Sequence, residues 1–335
     1  MRLKAFAPCR IDLAGGTLDI HPLFLMIPDA CTVNLAIDIG VEVTVEALDT
    51  KRSEIEIIDK NLSFGIDVEG PHIIPAGGEL VASIVTEFHK RESRAVRIKT
   101  RSFSPAGAGL AASSALCVAL TSALLKLMGM TLSDPDFIRL CLDLEARVLA
   151  TPTGYQDFIA AHTGGVQSIR YTPGEISSDH LRFNADDLAQ HLTLVYTGRP
   201  HHSGLNNWEV YRGYIEGEKT VRSAMAEIAY IANQMAGAIN SGDWPAVAQL
   251  LDKEWRQRKR LSPVVSTQTI DELVAAVAQT GSYGKVCGSG GGGCVILCHD
   301  GAEETKAGIS KIIGEHGLSE LSWKPDMHGC RVEEF

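Results

Sequence analysis

Apolar and polar positions alternate through much of the first hundred residues, in runs that are rich in β-branched side chains. Alternation at every second residue is typical of a strand with one buried face. The pattern predicts strands at residues 32–47, 54–59 and 95–100. The N-terminal half of the chain is therefore predicted to begin as a sheet.

A second pattern, with apolar positions every three or four residues, takes over further along and is typical of amphipathic helices. It predicts helices at residues 78–91, 113–128 and 133–150. Ser133 suits the N-cap of the last of these, and Pro135 falls in its first turn. The pair Thr151-Pro152 ends that helix, because a proline cannot continue it.

The remainder of the chain is predicted to be mostly helical, with a few short strands. A short helix begins near residue 156, and strands follow at 166–171 and 192–196. Helical patterns cover 206–242, 245–261 and 269–279, and the chain closes with a glycine loop, a strand at 294–298, a helix at 302–316 and a final strand. We place a domain boundary near residue 190, which predicts an N-terminal domain at 1–190 and a C-terminal domain at 191–335.

Composition favours a globular protein, since the 335 residues are 45% hydrophobic and can bury a substantial core. No stretch approaches the roughly 20 apolar residues that span a bilayer, and no apolar run follows the basic residues near the start. We therefore expect a cytoplasmic location. A net charge of −10 argues against a nucleic-acid or anionic-membrane partner.

The eight cysteines are scattered without a paired C-x-x-C framework, so we interpret them as reduced core thiols rather than zinc ligands. A basic cluster formed by Arg256, Arg258, Lys259 and Arg260 is interpreted as the solvated end of a helix, where positive charge suits the helix dipole.

The stretch at residues 105–115, PAGAGLAASSA, carries the clearest candidate chemistry. Gly107 and Gly109 let the backbone approach an anion, and Ser113 and Ser114 open a helix whose N-terminus offers free N–H donors. Such a loop is suited to nucleotide phosphates. Two further motifs accompany it, APCRIDLAGG at residues 7–16 and KVCGSGGGGC at residues 285–294.

A nicotinamide oxidoreductase is the rival class, because residues 107–112 partly imitate the G-x-G-x-x-G fingerprint. The third glycine is replaced by Ala112, however, and residues 124–129 supply no acidic residue where the ribose would need one. The sequence therefore favours a different nucleotide-binding class.

The three motifs, in this order, resemble those of the GHMP kinases, the superfamily of galactokinase, homoserine kinase, mevalonate kinase and phosphomevalonate kinase. The resemblance covers nearly the whole chain and implies an α+β fold of two domains. Its N-terminal domain would contain a left-handed βαβ crossover, and its C-terminal domain would be ferredoxin-like. ATP and substrate would meet in the cleft between them. The third motif, in this family, packs beside the phosphate loop.

The same resemblance implies which residues hold the nucleotide: Pro105, Gly107, Ala108, Gly109, Leu110, Ala111, Ala112, Ser113 and Ser114. The family motif usually has Gly-Ser where this chain has Ala111-Ala112, which removes one flexible position and one hydroxyl.

Catalytic and metal roles are implied in the same way. Ser113 and Glu145 match the family's Mg²⁺ ligands, Asp157 matches the catalytic base, and Arg10 matches the cation that steadies both the base and the transferring phosphoryl group. Simpler interpretations compete with these roles: a helix cap for Ser113 and Asp157, and a solvated surface charge for Glu145.

The acceptor side resembles the heptose-kinase branch, with its R-x-x-x-A-G-G pattern and a nearby aspartate. Substrate contacts are expected from Asp12, Gly15, Gly16, Asp19, Gly154, Tyr155, His202, Gly290 and Gly291. The pair His201-His202 is interpreted as loop or substrate contact rather than a metal site.

We therefore predict an ATP- and Mg²⁺-dependent kinase that phosphorylates a hydroxyl of a sugar, foremost a heptose or heptose 7-phosphate. The alternatives are a galactokinase-like hexose kinase, a mevalonate-type kinase and a non-catalytic nucleotide-binding protein. The expected acceptor is a sugar or a sugar phosphate, and the expected assembly is a monomer or a homodimer.

Overall fold

Two long antiparallel strands form the centre of the molecule. In the computed structural model, which describes residues 1–69, 73–199 and 203–335, β1 (Arg2–Ala14) pairs along its whole length with β2 (Cys31–Leu48). From Ala7 onward every residue of β1 is buried on both faces. That burial explains why β1 lacks the alternation that revealed other strands.

A larger sheet grows around this pair, with the strand order β12-β1-β2-β5-β3-β4 and with β6 and β7 attached through β2. Its remaining strands are β3 (Arg52–Ile57), β4 (Leu62–Asp67), β5 (Ala95–Ser102), β6 (Val166–Thr172), β7 (Glu175–His180) and β12 (Arg331–Glu334). The pairing is antiparallel except for β3 and β5, which are parallel.

A smaller antiparallel sheet has the order β11-β8-β10-β9. Its strands are β8 (Leu192–Tyr196), β9 (Tyr283–Val286), β10 (Cys294–Cys298) and β11 (Ser319–Leu321). The chain enters this sheet at β8 and returns to the larger sheet with β12. The division into domains at 1–190 and 191–335 stays a prediction.

Helices cover both sheets. They are α1 (Glu79–His89), α2 (Ala112–Leu127), α3 (Asp134–Leu149), α4 (Gln156–Thr163), α5 (Ala185–His191), α6 (Ser203–Glu216), α7 (Lys219–Ser241), α8 (Trp244–Leu261), α9 (Gln268–Ala278) and α10 (Glu303–Glu315). Short 3₁₀ turns occur at Leu23–Met26 and Ile58–Lys60. Of the helices in the described ranges, none combines the length and apolar character that a bilayer crossing requires.

Local sequence signals set several helix ends. Ser133 caps α3 by accepting a hydrogen bond from the Asp136 backbone N–H, as predicted, and α3 ends at Ala150 in the left-handed conformation. The helical stretch predicted at 206–242 is interrupted, because Gly217, with φ of +86°, separates α6 from α7. The polar strand β7 and the short helix α5 were not predicted from the pattern, since β7 has little buried surface.

All eight cysteines are free thiols, and seven of them are buried. This agrees with their interpretation as reduced core residues. Burial raises the pKa of Cys9, Cys287 and Cys298 to about 12, so these thiols are poor nucleophiles at neutral pH.

Candidate active site

A cleft of about 290 Å³ lies where the three glycine-containing motifs meet the junction of α3 and α4. All the predicted nucleotide-binding residues line it: Pro105, Gly107, Ala108, Gly109, Leu110, Ala111, Ala112, Ser113 and Ser114. Arg10, Glu145 and Asp157 line the same cleft. The structure thus brings together the predicted nucleotide, metal and catalytic residues, which are far apart in sequence.

The loop before α2 turns through three left-handed residues, with φ of +62° at Gly107, +74° at Gly109 and +65° at Ala111. Glycine adopts this conformation at no steric cost, whereas for Ala111 it costs about 1–2 kcal/mol. The residue that replaces the family's usual glycine is therefore strained. α2 begins directly after it, so its free N–H groups lie at the cleft.

The third motif packs against this loop, as the resemblance implied. The Cys294 backbone N–H donates to the Ala108 carbonyl oxygen at 2.7 Å. A Cβ at Gly288 would lie 2.8 Å from the Gly109 carbonyl oxygen, closer than real Cβ atoms approach. Gly288 therefore permits a backbone contact that fixes the shape of the phosphate-binding side.

Glu145 is a buried carboxylate surrounded by hydroxyl groups. It accepts hydrogen bonds from Ser113 at 2.5 Å, from Ser114 at 3.1 Å and from Thr153 at 2.9 Å. Burial raises the pKa of Glu145 above its ordinary value, although the Ser113 hydrogen bond works against this. Solvated surface charge is thus the wrong description of this residue.

The oxygen donors at Glu145 fit Mg²⁺, which prefers carboxylate and hydroxyl oxygen. Across the described part of the chain, no group of three or more His, Cys, Asp or Glu side chains is placed to hold a metal. Such a cage is not required, because Mg²⁺ in kinases is commonly held by one or two carboxylates together with substrate phosphates. Ser113 is exposed and lines the cleft, and its hydroxyl does not cap α2.

Asp157 and Arg10 form an ion pair at 2.7 Å between Asp157 Oδ1 and Arg10 Nε. Arg10 Nη1 also donates to the carbonyl oxygens of Gly109, at 2.8 Å, and Cys287, at 3.0 Å. One guanidinium therefore connects the candidate base to the phosphate loop and to the third motif. Asp157 lies within the first turn of α4 and makes no capping hydrogen bond, so the helix-cap interpretation is wrong.

Asp19 supplies the missing cap from a distant segment, since its Oδ2 accepts a hydrogen bond from the Gln156 backbone N–H at 3.0 Å. Burial, reinforced by the neighbouring Asp157 carboxylate, raises the pKa of Asp19 to about 7. A Cβ at Gly154 would collide with the Asp19 carboxylate, so a glycine is needed there. Asp19 is thus held at the base of the cleft beside Asp157.

Four buried charges lie next to the cleft: Asp12, Glu254, Arg258 and Lys285. Arg258 pairs with Asp12 at 2.7 Å and with Glu254 at 3.2 Å, and Lys285 pairs with the same two carboxylates at 3.1 Å and 2.9 Å. Burial alone would raise the pKa of Asp12, but Lys285 and Arg258 outweigh it and lower the pKa. We refer to these four residues as the buried charge cluster.

The interpretation of Arg258 as part of a solvated helix end is therefore wrong, although Arg256, Lys259 and Arg260 are exposed. A signal was present, because Glu254 and Arg258 are four residues apart and continue the buried stripe of Val247, Leu251 and Trp255 on α8.

The predicted acceptor residues are divided by the structure. Asp12, Gly16, Asp19 and Gly154 line the cleft, whereas Gly15, Tyr155, Gly290 and Gly291 do not. Gly15 donates its N–H to Glu254, and Tyr155 packs edge-on against Phe24. Gly290 and Gly291 lie against Val264 and Val265, so Gly288 and Ser289 represent the third motif at the cleft. His201 and His202 lie outside the described residues.

Comparison with known proteins identifies the relatives of this chain. The model of the GHMP kinases N terminal domain matches residues 79–165, and that of the GHMP kinases C terminal domain matches residues 235–312. The chain is 27% identical over 311 residues to the D-glycero-alpha-D-manno-heptose 7-phosphate kinase of Campylobacter jejuni, covering 89% of each protein. It is 25% identical over 359 residues to the mevalonate kinase of Thermococcus onnurineus, covering 100% of this chain and 99% of that protein.

A solved structure described as a D-glycero-D-manno-heptose 1-phosphate kinase from Bacteroides thetaiotaomicron superposes with a TM-score of 0.80 at 21% identity, covering 99% of each chain. At this identity the likeness concerns the fold. The two matched models occur in the family's order, the first on the elements around the cleft and the second on α7 to α10. On this evidence, the chain belongs to the GHMP kinases and has their two-domain fold.

Proposed function

We propose that this protein transfers the γ-phosphoryl group of ATP to a hydroxyl group of a sugar, foremost a heptose or heptose phosphate. GHMP kinases are phosphotransferases that use ATP as the donor. The main support for the proposal is that one cleft holds all the groups required. The Arg10–Asp157 ion pair and the hydrogen-bonded Glu145–Ser113 pair both lie there, beside the glycine loop that precedes α2. The heptose-kinase relatives support the choice of acceptor.

Asp157 acts as the general base. Phosphoryl transfer requires a carboxylate that orients the acceptor hydroxyl and takes its proton. Arg10 holds Asp157 Oδ1, which leaves Oδ2 to accept that proton from the sugar. The same guanidinium lies beside Gly109 and stabilises negative charge on the transferring group.

Glu145 and Ser113 would hold Mg²⁺ through their oxygen atoms. When bound, the metal neutralises charge on the β- and γ-phosphates during transfer. The backbone N–H groups at the start of α2 hold the phosphates in the same place, because a helix N-terminus favours anions. Ser114 and Thr153 keep the Glu145 carboxylate oriented towards Ser113.

Asp19 is suited to the acceptor. A carboxylate accepts hydrogen bonds from sugar hydroxyls, and Gly16 and Gly154 leave room beside it. Above pH 7 Asp19 is ionised and only accepts hydrogen bonds, whereas below pH 7 the protonated carboxyl group donates one hydrogen bond and accepts fewer.

The test is ADP release from ATP and Mg²⁺ over a panel of a heptose, heptose 7-phosphate, heptose 1-phosphate, galactose and mevalonate, with the product identified by phosphorus NMR. We expect release that depends on a heptose or its phosphate, and loss of release in Asp157→Asn. Release with mevalonate alone would replace the sugar by a mevalonate-type acceptor. Nucleotide binding without any stimulated release across the panel would contradict the kinase proposal and favour a non-catalytic protein.

A further inference from the structure

The buried charge cluster connects the two sheets at the cleft. Asp12 belongs to β1 of the larger sheet, Lys285 belongs to β9 of the smaller sheet, and Glu254 and Arg258 lie on α8. The four side chains are between 0% and 4% exposed. Two positive and two negative charges balance, and such a set is retained at a considerable desolvation cost.

Arg258 lines the cleft together with its partner Asp12, whereas Glu254 and Lys285 do not line it. Its Nη2 donates to Asp12 at 2.7 Å, its Nε to Glu254 at 3.2 Å, and its Nη1 to the Gly288 carbonyl oxygen at 3.3 Å. Each of these contacts uses a different nitrogen of the planar guanidinium, whereas a lysine would have to make all of them from a single nitrogen.

The contacts of Arg258 reach both sides of the proposed reaction. On the acceptor side, Gly16 lies so close that a Cβ there would collide with Arg258 Nη2 and Asp12 Oδ2. On the donor side, Gly288 is packed on Gly109 of the phosphate loop. One side chain therefore links the turn that leads to Asp19 with the loop that faces the phosphates.

Lys285 offers an internal comparison. It carries the same charge and bonds to the Asp12 carbonyl oxygen, the Asp12 carboxylate and Glu254, yet it is absent from the cleft lining. A role that depends only on buried charge would be shared by Lys285 and Arg258, whereas a role in alignment belongs to Arg258.

We propose that Arg258 is a positioning residue that sets the acceptor turn at residues 15–19 relative to the phosphate loop. This inference rests on the proposed function, because the turn is taken to hold the acceptor. Alignment matters since a displacement of about 1 Å between reacting groups can cost about 10²-fold in rate. Asp12 is then a partner of Arg258 rather than a direct sugar ligand.

Two matched double variants separate alignment from charge. Arg258→Met/Glu254→Gln and Lys285→Met/Glu254→Gln each remove one positive and one negative charge, and the amide oxygen that replaces the Glu254 carboxylate can still accept from the Gly15 N–H. We expect the first to raise the acceptor KM and to lower kcat by roughly 10- to 10²-fold, with ATP affinity nearly unchanged. We expect the second to stay within about threefold of the wild type.

A second readout does not require turnover. Hydrogen exchange of the peptide at residues 12–19 is expected to accelerate in the Arg258 double variant and not in the Lys285 double variant. Arg258→Lys, which keeps every charge, serves if the double variants fold poorly, and it should show the same faster exchange with a weaker kinetic defect.

Equal kinetic defects and equal exchange in the two double variants would overturn the proposal and leave the cluster a purely structural role. Wild-type exchange and kinetics in Arg258→Lys would also overturn it. If the wild-type protein showed no sugar-dependent turnover, the proposed function would be contradicted. The hydrogen-exchange comparison would still test whether Arg258 positions the turn at residues 15–19.

Discussion

Replacing Asp19 by asparagine should stabilise the protein in a pH-dependent manner. The folded state raises the pKa of Asp19 from 3.8 to about 7, because the side chain is buried beside Asp157. Between these values the unfolded chain has released the proton and the folded protein still binds it, so the free energy of unfolding falls as pH rises. About three pKa units correspond to about 4 kcal/mol, which is the upper limit of the penalty above pH 7.

Asparagine cannot titrate, and its side-chain oxygen can still accept from the Gln156 backbone N–H. The difference in unfolding free energy between Asp19→Asn and wild type should therefore be near zero around pH 4. It should grow towards at most about 4 kcal/mol at pH 8. The same variant should bind the acceptor poorly, because it lacks the Asp19 carboxylate. In the wild type this carboxylate lowers the free energy of unfolding but binds the substrate.

Equilibrium urea unfolding at pH 4, 5, 6, 7 and 8 measures this difference directly. Asp143→Asn, which removes an exposed carboxylate on α3, is the matched control. A difference for Asp19→Asn that is the same at pH 5 and pH 8, or a variant less stable than wild type at pH 8, would refute the reasoning.

Three further substitutions test the other parts of the cleft. Asp157→Asn should lower kcat by roughly 10²- to 10⁴-fold and leave nucleotide binding intact, which steady-state kinetics and calorimetry would measure. Near-normal turnover in this variant would show that Asp157 is not the base. Glu145→Gln should raise the Mg²⁺ concentration needed for half-maximal rate, so an unchanged metal titration would argue against ligation. Ala111→Gly should raise the free energy of unfolding by about 1 kcal/mol in urea, because glycine relieves the left-handed strain, and a loss of stability would contradict this account.

Much of the site could be predicted because its chemistry is local in sequence. The glycines at 107 and 109 and the hydroxyls at 113 and 114 form one continuous signal, and the loop and helix N-terminus follow from residue type alone. The capped helix α3, which carries Glu145, could be predicted for the same reason.

Long-range arrangements could not be predicted in this way. The cap that Asp19 provides for α4 joins residues 137 positions apart, and no periodicity encodes it. Arg258 looked like surface charge because its partner Asp12, which also pairs with Lys285, comes from a strand 246 positions away in the sequence. In the glycine-rich segment at residues 288–293, Gly288 and Ser289 face the cleft, whereas Gly290 and Gly291 face Val265 and Val264. The sequence of this segment does not distinguish these positions.

The pairing of β12 with β1 has a consequence for biosynthesis. Residues 3–6 of β1 form their outer ladder with residues 331–334, which emerge from the ribosome after every residue that lines the cleft. Until then the growing polypeptide presents an uncovered strand edge that can pair with another nascent chain. Truncations that remove β12 are therefore expected to aggregate during translation even though the whole cleft has already been synthesised.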